Sequence, residues 1–214
     1  MTDYKRPANN EYKVNKMEMK LFNKWSVAGI KIEDPGLKRY IGLNPVLVLR
    51  TGARYAGNRF HKSKSNIVER FVNKLMNPGH KGKKHFKTSS HITGKSHTAY
   101  DLVEDTFSIV EKKTKKNPVE VFVKAVENAS PREEIVTIEY GGARYPKSVE
   151  VAPQRRIDLA LRLMIQGSYH KSFNSKKKMI DCLADEIVHA YTFNSLSYAI
   201  SKKNEMERQA DSSR

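Results

Sequence analysis

The sequence contains a single cysteine, Cys182, so it can form no internal disulfide and cannot supply the cysteine pairs of a structural zinc site. Small secreted proteins stabilised by disulfide bonds are therefore excluded as a class. Cys182 lies among Met179, Ile180 and Leu183 at helical spacing, which predicts a small buried side chain rather than a reactive thiol. A lone cysteine of this kind is typical of a protein of the reducing cytosol.

Long apolar runs are missing from the first thirty residues. This region contains lysines and arginines at positions 5, 6, 13, 16, 20 and 24 and no run of seven apolar residues. Such a composition is not that of a secretory signal peptide or of a transmembrane span. We therefore expect a cytoplasmic protein without a membrane partner.

Motifs of catalysis and metal binding are missing as well. The 7 histidines form no His-Glu-x-x-His pair, and the chain has no Gly-x-Ser-x-Gly nucleophile motif. Residues 94–96 (Gly-Lys-Ser) match the end of a phosphate-binding P-loop, but Ser89 stands where that loop has its first glycine. We therefore predict that the protein is not an enzyme and has no catalytic residue, no metal and no cofactor.

Acidic residues are almost absent from one long stretch. Between Arg50 and Lys95 there are 12 lysines and arginines and one acid, Glu69, so +11 of the formal net charge of +17 lies there. Charge concentrated in this way gives a surface that can follow a phosphate backbone, and the neighbouring aromatic residues Tyr55 and Phe60 offer faces for stacking. Nucleic acid is therefore the predicted partner. The candidate contacts in the first part of this stretch are Arg50, Arg54, Arg59, Lys62 and Lys64.

Three regions differ in pattern along the chain. Residues 1–20 are polar, and we expect a flexible N-terminal arm. Residues 21–64 contain short apolar pieces interrupted by proline and glycine, which predicts an extended segment that wraps the core. Residues 65–214 show the 3.6-residue apolar period and are predicted to form a helical, RNA-binding domain. Its predicted helices are 67–76, one beginning at the cap Thr98, one beginning at Asn117-Pro118, one from Pro153 to about Gly167, one from about Ser175 to Tyr191, and a partly helical tail over 197–214.

Residues 135–151 change to a period of two. Apolar residues alternate on both sides of Gly141-Gly142, which predicts a β-hairpin whose base leans on the helices and whose tip, with Arg144, projects. Arg155 and Arg156 follow in the first turn of a helix, where cations oppose the helix dipole and indicate a phosphate or an acidic partner. The predicted fold class is therefore mainly α: a bundle of about six helices with a protruding β-hairpin and an extended basic N-terminal segment.

Several segments together resemble the small-subunit ribosomal protein S-seven family. They are residues 141–145 (GGARY), 149–156 (VEVAPQRR), 21–25 (LFNKW), 67–70 (IVER), 73–76 (NKLM), 182–186 (CLADE) and 199–208 (AISKKNEMER). The similarity extends over nearly the whole chain after about residue 16. The N-terminal extension with its tryptophan motif is similar to the archaeal and eukaryotic branch, and the glycine turn and the C-terminal sequence are closer to archaeal members.

The resemblance implies a mostly helical protein that binds the 3′ major (head) domain of small-subunit rRNA and organises assembly of the head. The rRNA contacts that it implies are Lys81, Lys83, Lys84, Arg155 and Arg156. It also implies a hairpin tip near the exit-site tRNA and the mRNA path, formed by Gly141, Gly142, Ala143, Arg144 and Tyr145. The implied surroundings are the cytoplasmic ribosome, with neighbouring small-subunit ribosomal proteins as further partners.

Two other classes of protein stay open at this point. A DNA-binding regulator could dock a basic β-ribbon in a groove, although such a protein more often presents a compact recognition helix and a symmetric dimer surface. An enzyme acting on RNA is the third alternative, and the missing catalytic motifs count against it.

Overall fold

The computed structural model describes residues 19–81, 84, 85, 87 and 92–214. Its helices are α1 (Ile67–Leu75), α2 (Ser96–Thr114), α3 (Pro118–Ala129), α4 (Pro153–Ser172), α5 (Met179–Tyr191) and α6 (Tyr198–Asp211). Its strands are β1 (Lys20–Leu21), β2 (Trp25–Ser26), β3 (His80–Lys81), β4 (Lys84–His85), β5 (Glu133–Tyr140) and β6 (Ala143–Glu150), paired as antiparallel two-stranded ribbons. The predicted fold class, mainly α with a hairpin, is confirmed. Most of the arm predicted for residues 1–20 lies outside the described residues.

Two helices begin where an asparagine caps them. The side-chain oxygens of Asn66 and Asn117 accept hydrogen bonds from the amides of Val68 and Val119, at 2.9 and 3.0 Å. These bonds satisfy amides that have no partner inside the helix. Pro118 follows Asn117 at the first helical position, where the missing proline amide costs nothing. The start of α3 is thus determined locally and lies where the sequence predicts it.

Aromatic side chains form the centre of the core. Phe107 on α2 is completely buried, and its ring centroid lies 5.6 Å from that of Phe122 on α3 and 5.9 Å from that of Trp25. The Trp25 indole Nε1 donates a hydrogen bond to Glu111 Oε2 at 3.0 Å, so its polar atom is satisfied although the residue is only 5% exposed. The core therefore joins α2 and α3 to the β1–β2 ribbon.

Residues 19–64 pack on the helices with little regular structure of their own. Their buried side chains in the common core are Leu21, Phe22, Trp25, Val27, Leu37, Ile41 and Leu49. The Glu127 carboxylate on α3 accepts hydrogen bonds from the amides of Glu33 and Asp34, at 2.8 and 3.2 Å. Because a helix side chain satisfies these loop amides, the loop can lie against the helices without a strand partner.

The hairpin formed by β5 and β6 turns at Gly141 and Gly142, whose φ angles are 57° and 82°. A two-residue turn with two positive φ angles matches the twist of the strands, and glycine adopts those angles without steric cost. Tyr140 pairs with Ala143 next to the turn. Residues 136–147 are all exposed, whereas the base of the hairpin packs against α6. The tip therefore projects, as predicted.

The tail that was predicted to be partly helical forms a complete helix, α6, because a buried carboxylate organises its start. Glu186 on α5 is completely buried, and its Oε1 accepts hydrogen bonds from Ser197 Oγ at 2.7 Å and from the amide of Ala199 at 3.0 Å. Lys171 on α4 balances the charge, with its Nζ 3.0 Å from Oε2. Ser197 also caps the helix by accepting a hydrogen bond from the Ile200 amide at 3.3 Å. The carboxylate lies on a different helix, so the tail alone could not reveal it.

Other predicted boundaries differ by a few residues. Helix α2 begins at Ser96 instead of Thr98, α4 continues past Gly167 to Ser172, and α5 begins at Met179 instead of about Ser175. The β3–β4 ribbon lies between the first two predicted helices, where no strand was predicted. Glycine weakens a helix and so suggests an end at Gly167. The helix α4 continues through Gly167, and α6 packs closely against it at this residue. The contact joins segments that are distant in sequence, so the local pattern does not indicate it.

Replacing Gly167 with alanine is expected to lower the free energy of unfolding by roughly 1–3 kcal/mol. A Cβ atom at this position would lie 2.5 Å from Tyr198 Cβ and 2.9 Å from Tyr198 Cγ, so α4 and α6 would have to separate. Chemical denaturation measures the change. Gly57→Ala is the matched control, since a Cβ there would meet no atom within 4 Å. Equal stability of the two variants would contradict the close approach of the helices.

Candidate nucleic-acid interface

Residues 50–64, called the basic segment below, contain no acidic residue and run exposed over α1. The predicted contacts in this segment are all exposed: Arg50, Arg54, Arg59, Lys62 and Lys64. Within the described part of the chain, Arg50 and Arg54 form no ion pair and no side-chain hydrogen bond. Their charges are therefore available to a partner outside the protein.

Aromatic rings lie beside cations in this segment. The Arg59 guanidinium is 5.0 Å from the centroid of the Phe60 ring, and Lys64 Nζ is 5.7 Å from that of Tyr55. Phe60 also packs edge-on against Tyr40 at 6.0 Å, although it is 48% exposed. Such contacts contribute about 0.5–1 kcal/mol at exposed sites, and they hold ring faces next to positive charge. The surface combines the two features by which proteins bind unpaired nucleotides.

Two acids attach the basic segment to the helices. Glu69 Oε1 on α1 accepts hydrogen bonds from the Thr51 amide at 2.7 Å and from Thr51 Oγ1 at 2.8 Å. Asp158 on α4 pairs with both Lys62 and Arg70, each at 2.9 Å. Burial raises the pKa of Asp158, but the hydrogen bonds from Lys62 and Arg70 outweigh it and leave the pKa below its ordinary value. Asp158 is therefore ionised, and Lys62 has part of its charge neutralised inside the protein.

A second group of cations lies next to this attachment and was not identified from the sequence. Burial lowers the pKa of Lys74 on α1, and the charges of Arg162 and Lys62 lower it further, while the Asp158 carboxylate offsets only part of this effect. The positive potential is thus poorly compensated here. Arg162 lies four residues after Asp158 on α4, and this spacing on one helix face is the pattern that could have indicated it.

Arg155 and Arg156 have different surroundings although they are adjacent in the first turn of α4. Arg155 pairs with Glu134 of the hairpin, with Nε 2.7 Å from Oε1, and its side chain is 55% exposed. Arg156 Nη2 lies 2.7 Å from Asp34 Oδ2, its Nε donates to the Pro131 carbonyl at 3.2 Å, and its side chain is 11% exposed. Glu134 and Asp34 thus offset the unfavourable interaction of the two arginines with the helix dipole. Of the two arginines, only Arg155 exposes a large surface to a partner.

The Asp34 carboxylate is ionised beside Arg156. Burial raises its pKa, but the hydrogen bonds from Arg156 and from the Gly36 amide outweigh that effect and leave the pKa below its ordinary value. The pair joins the extended segment to the start of α4. Its role in the structure is therefore to fix the orientation of α4 next to the hairpin.

Two of the three lysines predicted to contact rRNA after α1 belong to the β3–β4 ribbon. Lys81 and Lys84 face each other in the β3–β4 register. Lys83 lies outside the described residues. The rRNA contacts assigned to these lysines stay predictions.

The hairpin tip is exposed on both strands. Arg144 Nε lies 3.7 Å from Glu139 Oε2, and both side chains are largely exposed, so this pair contributes little to stability. Tyr140 and Tyr145 are 81% and 58% exposed. The hairpin tip, residues 141–145, thus exposes one cation, Arg144, and the aromatic ring of Tyr145.

The described ranges contain no group of three or more histidine, cysteine, aspartate or glutamate residues that could hold a metal ion. They also contain no helix that is long and apolar enough to cross a membrane. Cys182 is 2% exposed, and burial raises the pKa of its thiol, so the predicted buried side chain is confirmed.

Comparison with known proteins supplies the family. The model of the family described as ribosomal protein S7p/S5e matches residues 51–214. The small ribosomal subunit protein uS7 of Nanoarchaeum equitans is 52% identical over 198 residues, which cover 92% of this chain and 100% of that protein. The corresponding protein of Archaeoglobus fulgidus is 43% identical over 204 residues, 95% of this chain and 100% of the other. That of Methanothrix thermoacetophila is 43% identical over 196 residues, with 92% and 100% covered.

These matches include the glycine turn, the start of α4 and the C-terminal helix that suggested the resemblance, and the relatives are archaeal, as predicted. The chain therefore belongs to the ribosomal protein S7p/S5e family, in its archaeal-type branch, a family of structural ribosomal proteins and not of enzymes.

Proposed function

We propose that this chain is a structural component of the small ribosomal subunit that binds the 3′ major (head) domain of small-subunit rRNA and organises assembly of the head. The observation that carries the proposal is the exposed cations of the basic segment, of which Arg50, Arg54, Arg59 and Lys64 have no acidic partner among the described residues, in a chain whose relatives are named as small ribosomal subunit proteins. In this role the protein works in the cytoplasmic ribosome, with rRNA and neighbouring ribosomal proteins as its partners.

The proposed mechanism is stabilisation of a folded RNA by a rigid scaffold. The helices of residues 65–214 form the binding domain, and residues 21–64 lie over them and present the arginines. Arg50, Arg54, Arg59 and Lys64 contact phosphates, since none of them has an acidic partner among the described residues. Arg155 adds a contact beside the hairpin by exchanging part of its pairing with Glu134 for a phosphate. Phosphate contacts position the protein, and aromatic rings stack on unpaired bases.

The projecting hairpin has a different proposed role. Its tip, residues 141–145, lies at the exposed end of two strands whose base is held by α6. We propose that this tip reaches toward the exit-site tRNA and the mRNA path while the basic segment holds the rRNA.

A salt titration tests the proposal. The purified chain is titrated with a transcript of the head domain and with a random duplex DNA of equal length. If about 6 to 10 phosphates are contacted, the affinity for the transcript falls by about 10³–10⁵ between 50 and 200 mM salt. Tight transcript binding that survives competitor DNA supports the proposal. Equal, steeply salt-sensitive binding to the two nucleic acids would contradict it, since it would indicate only a nonspecific polycation, and would reopen the DNA-binding alternative.

Shortening the hairpin tip separates the two proposed surfaces. Replacing residues 138–145 by a two-glycine turn shortens both strands equally and keeps the pairing of Thr137 with Pro146. This change is expected to leave the affinity for the head-domain transcript within about twofold, because Arg144 is the only cation lost and its partner Glu139 is lost with it. Retention of exit-site tRNA by reconstituted subunits is expected to fall. Filter binding of the labelled transcript measures the first quantity, and retention of labelled deacylated tRNA by the subunits measures the second. A tenfold loss of transcript affinity would instead assign the tip to rRNA binding.

A further inference from the structure

A cavity of about 420 Å³ lies between the basic segment and helices α1 and α4. Tyr55, Ala56 and Lys62 line it from the basic segment, and Asn73 and Lys74 line it from α1. This volume lies in the range of sites that hold small organic molecules, roughly 300–1,000 Å³. The cavity opens on the surface for which we propose rRNA binding.

The acids that line the cavity are already satisfied by the protein. Asp158 is held by Lys62 and Arg70, and Glu69 accepts both hydrogen bonds from Thr51. Neither carboxylate therefore needs a cation or a donor from a ligand. The arrangement disfavours a metal ion as the occupant, because the oxygens that would bind it are in use.

Lys74, which lines the cavity from α1, has no direct partner among the described residues. Lys74 Nζ forms no hydrogen bond and no ion pair with any described residue, and it is half-buried near Arg162 and Lys62. Four cations, Lys62, Arg70, Lys74 and Arg162, lie at or beside the cavity with two acids, Glu69 and Asp158, so the net charge there is positive and attracts an anion. A phosphate group at this wall would supply the missing acceptor.

The rest of the lining suits a flat, partly apolar group. Ala56, Leu161 and the ring of Tyr55 give apolar and aromatic surface, and the Asn73 amide offers one acceptor and two donors at the edge. Lys64 lies over the Tyr55 ring and strengthens its use as a stacking surface. Unpaired bases are bound in proteins by such a combination of stacking and edge hydrogen bonds.

We propose that this cavity receives one nucleotide turned out of the rRNA, with its base against Tyr55 and Ala56 and its phosphate beside Lys74. The inference rests on the proposed rRNA-binding function and adds to it a site for a single base. A nucleotide that is already unpaired, in a bulge or at a junction, is the expected occupant, because turning it out loses the least stacking and pairing.

A substitution that fills the cavity with a larger side chain tests the inference. Ala56→Phe places a ring in the cavity without changing any charge, and Ala28→Phe adds the same ring to an exposed alanine that does not line it. We expect Ala56→Phe to lower the affinity for the head-domain transcript about tenfold, with an unchanged slope of log affinity against log salt. We expect Ala28→Phe to bind the transcript with the same affinity as the unchanged protein. Lys74→Met is expected to lower the salt slope by about 0.7–0.9.

Chemical probing of the transcript gives the second readout. In the complex with the unchanged protein, one unpaired nucleotide should be protected from base-specific reagents, and the same nucleotide should become reactive with Ala56→Phe and with Lys74→Met. Tight binding with identical reactivity in all complexes would overturn the cavity site and leave the proposed function standing. Failure of the unchanged protein to bind the transcript would overturn the proposed function itself. If circular dichroism shows that Ala56→Phe does not fold, the reactivity with Lys74→Met decides.

Discussion

Replacing Arg50, Arg54, Arg59 and Lys64 together by glutamine is expected to lower the affinity for the head-domain transcript by about a thousandfold at 0.1 M salt. The four side chains are exposed and lack acidic partners among the described residues, so each can release counterions from one phosphate. Each contact contributes about 0.7–0.9 to the slope of log affinity against log salt, so the slope should fall by roughly three. Glutamine removes the charge but keeps the first three carbons of each side chain and a polar end. A salt titration by filter binding measures both quantities.

A variant with the same change of net charge serves as the control. Lys112, Lys113, Lys115 and Lys116 are also exposed, but Lys113 pairs with Asp185 and Lys116 donates a hydrogen bond to the Tyr191 hydroxyl. Their replacement by glutamine is expected to cost less than about tenfold, through the general field of the protein. Equal losses in the two variants would show that net charge, and not the basic segment, determines binding.

Removing Arg156 is expected to lower the free energy of unfolding by about 3 kcal/mol, whereas removing Arg155 should lower it by less than about 1 kcal/mol. Arg156→Ala leaves the Asp34 carboxylate without its cation and the Pro131 carbonyl without its donor. The Arg155 side chain is 55% exposed against 11% for Arg156, so solvent screens the pair of Arg155 with Glu134 more strongly. Urea denaturation of the two single variants measures the difference.

The two variants should also differ in RNA binding and in their response to pH. Arg155→Ala is expected to weaken transcript binding about tenfold, and Arg156→Ala to bind normally under conditions in which it is folded. Because folding lowers the pKa of Asp34 below its ordinary value of 3.8, the pair stabilises the fold above that pH and loses its effect as the pH falls through the lowered value. The stability gap between wild type and Arg156→Ala should therefore narrow as acid protonates Asp34, leaving the part that comes from the hydrogen bond to the Pro131 carbonyl. A gap that stays constant throughout an acid titration would contradict this account.

Local chemistry explains the elements that the sequence predicted well. The Asn117-Pro118 start of α3 and the Gly141-Gly142 turn depend on caps, proline geometry and positive φ angles, all of which adjacent residues determine. The exposed cations of the basic segment follow in the same way from a stretch without acids. Such features can be identified from the sequence because they depend on interactions between near neighbours.

Partners distant in sequence account for what the sequence did not predict. Two adjacent arginines suggested two phosphate contacts, but Arg156 pairs with Asp34, which lies 122 residues earlier. The helix α6 depends on Glu186 of α5, and the cavity next to Lys74 exists because the basic segment lies over α1. Each of these needs the tertiary arrangement, which periodicity and charge counts do not contain.

The position of Trp25 gives the protein a built-in optical reporter. It is the only tryptophan of the chain, and it lies against Phe107 while its indole donates to Glu111 on α2. Its fluorescence therefore senses whether the β1–β2 ribbon is docked on the helices, whereas far-ultraviolet dichroism senses the helices themselves. A red shift of emission at a lower denaturant concentration than the loss of dichroism would reveal that residues 19–64 detach before the helical body unfolds.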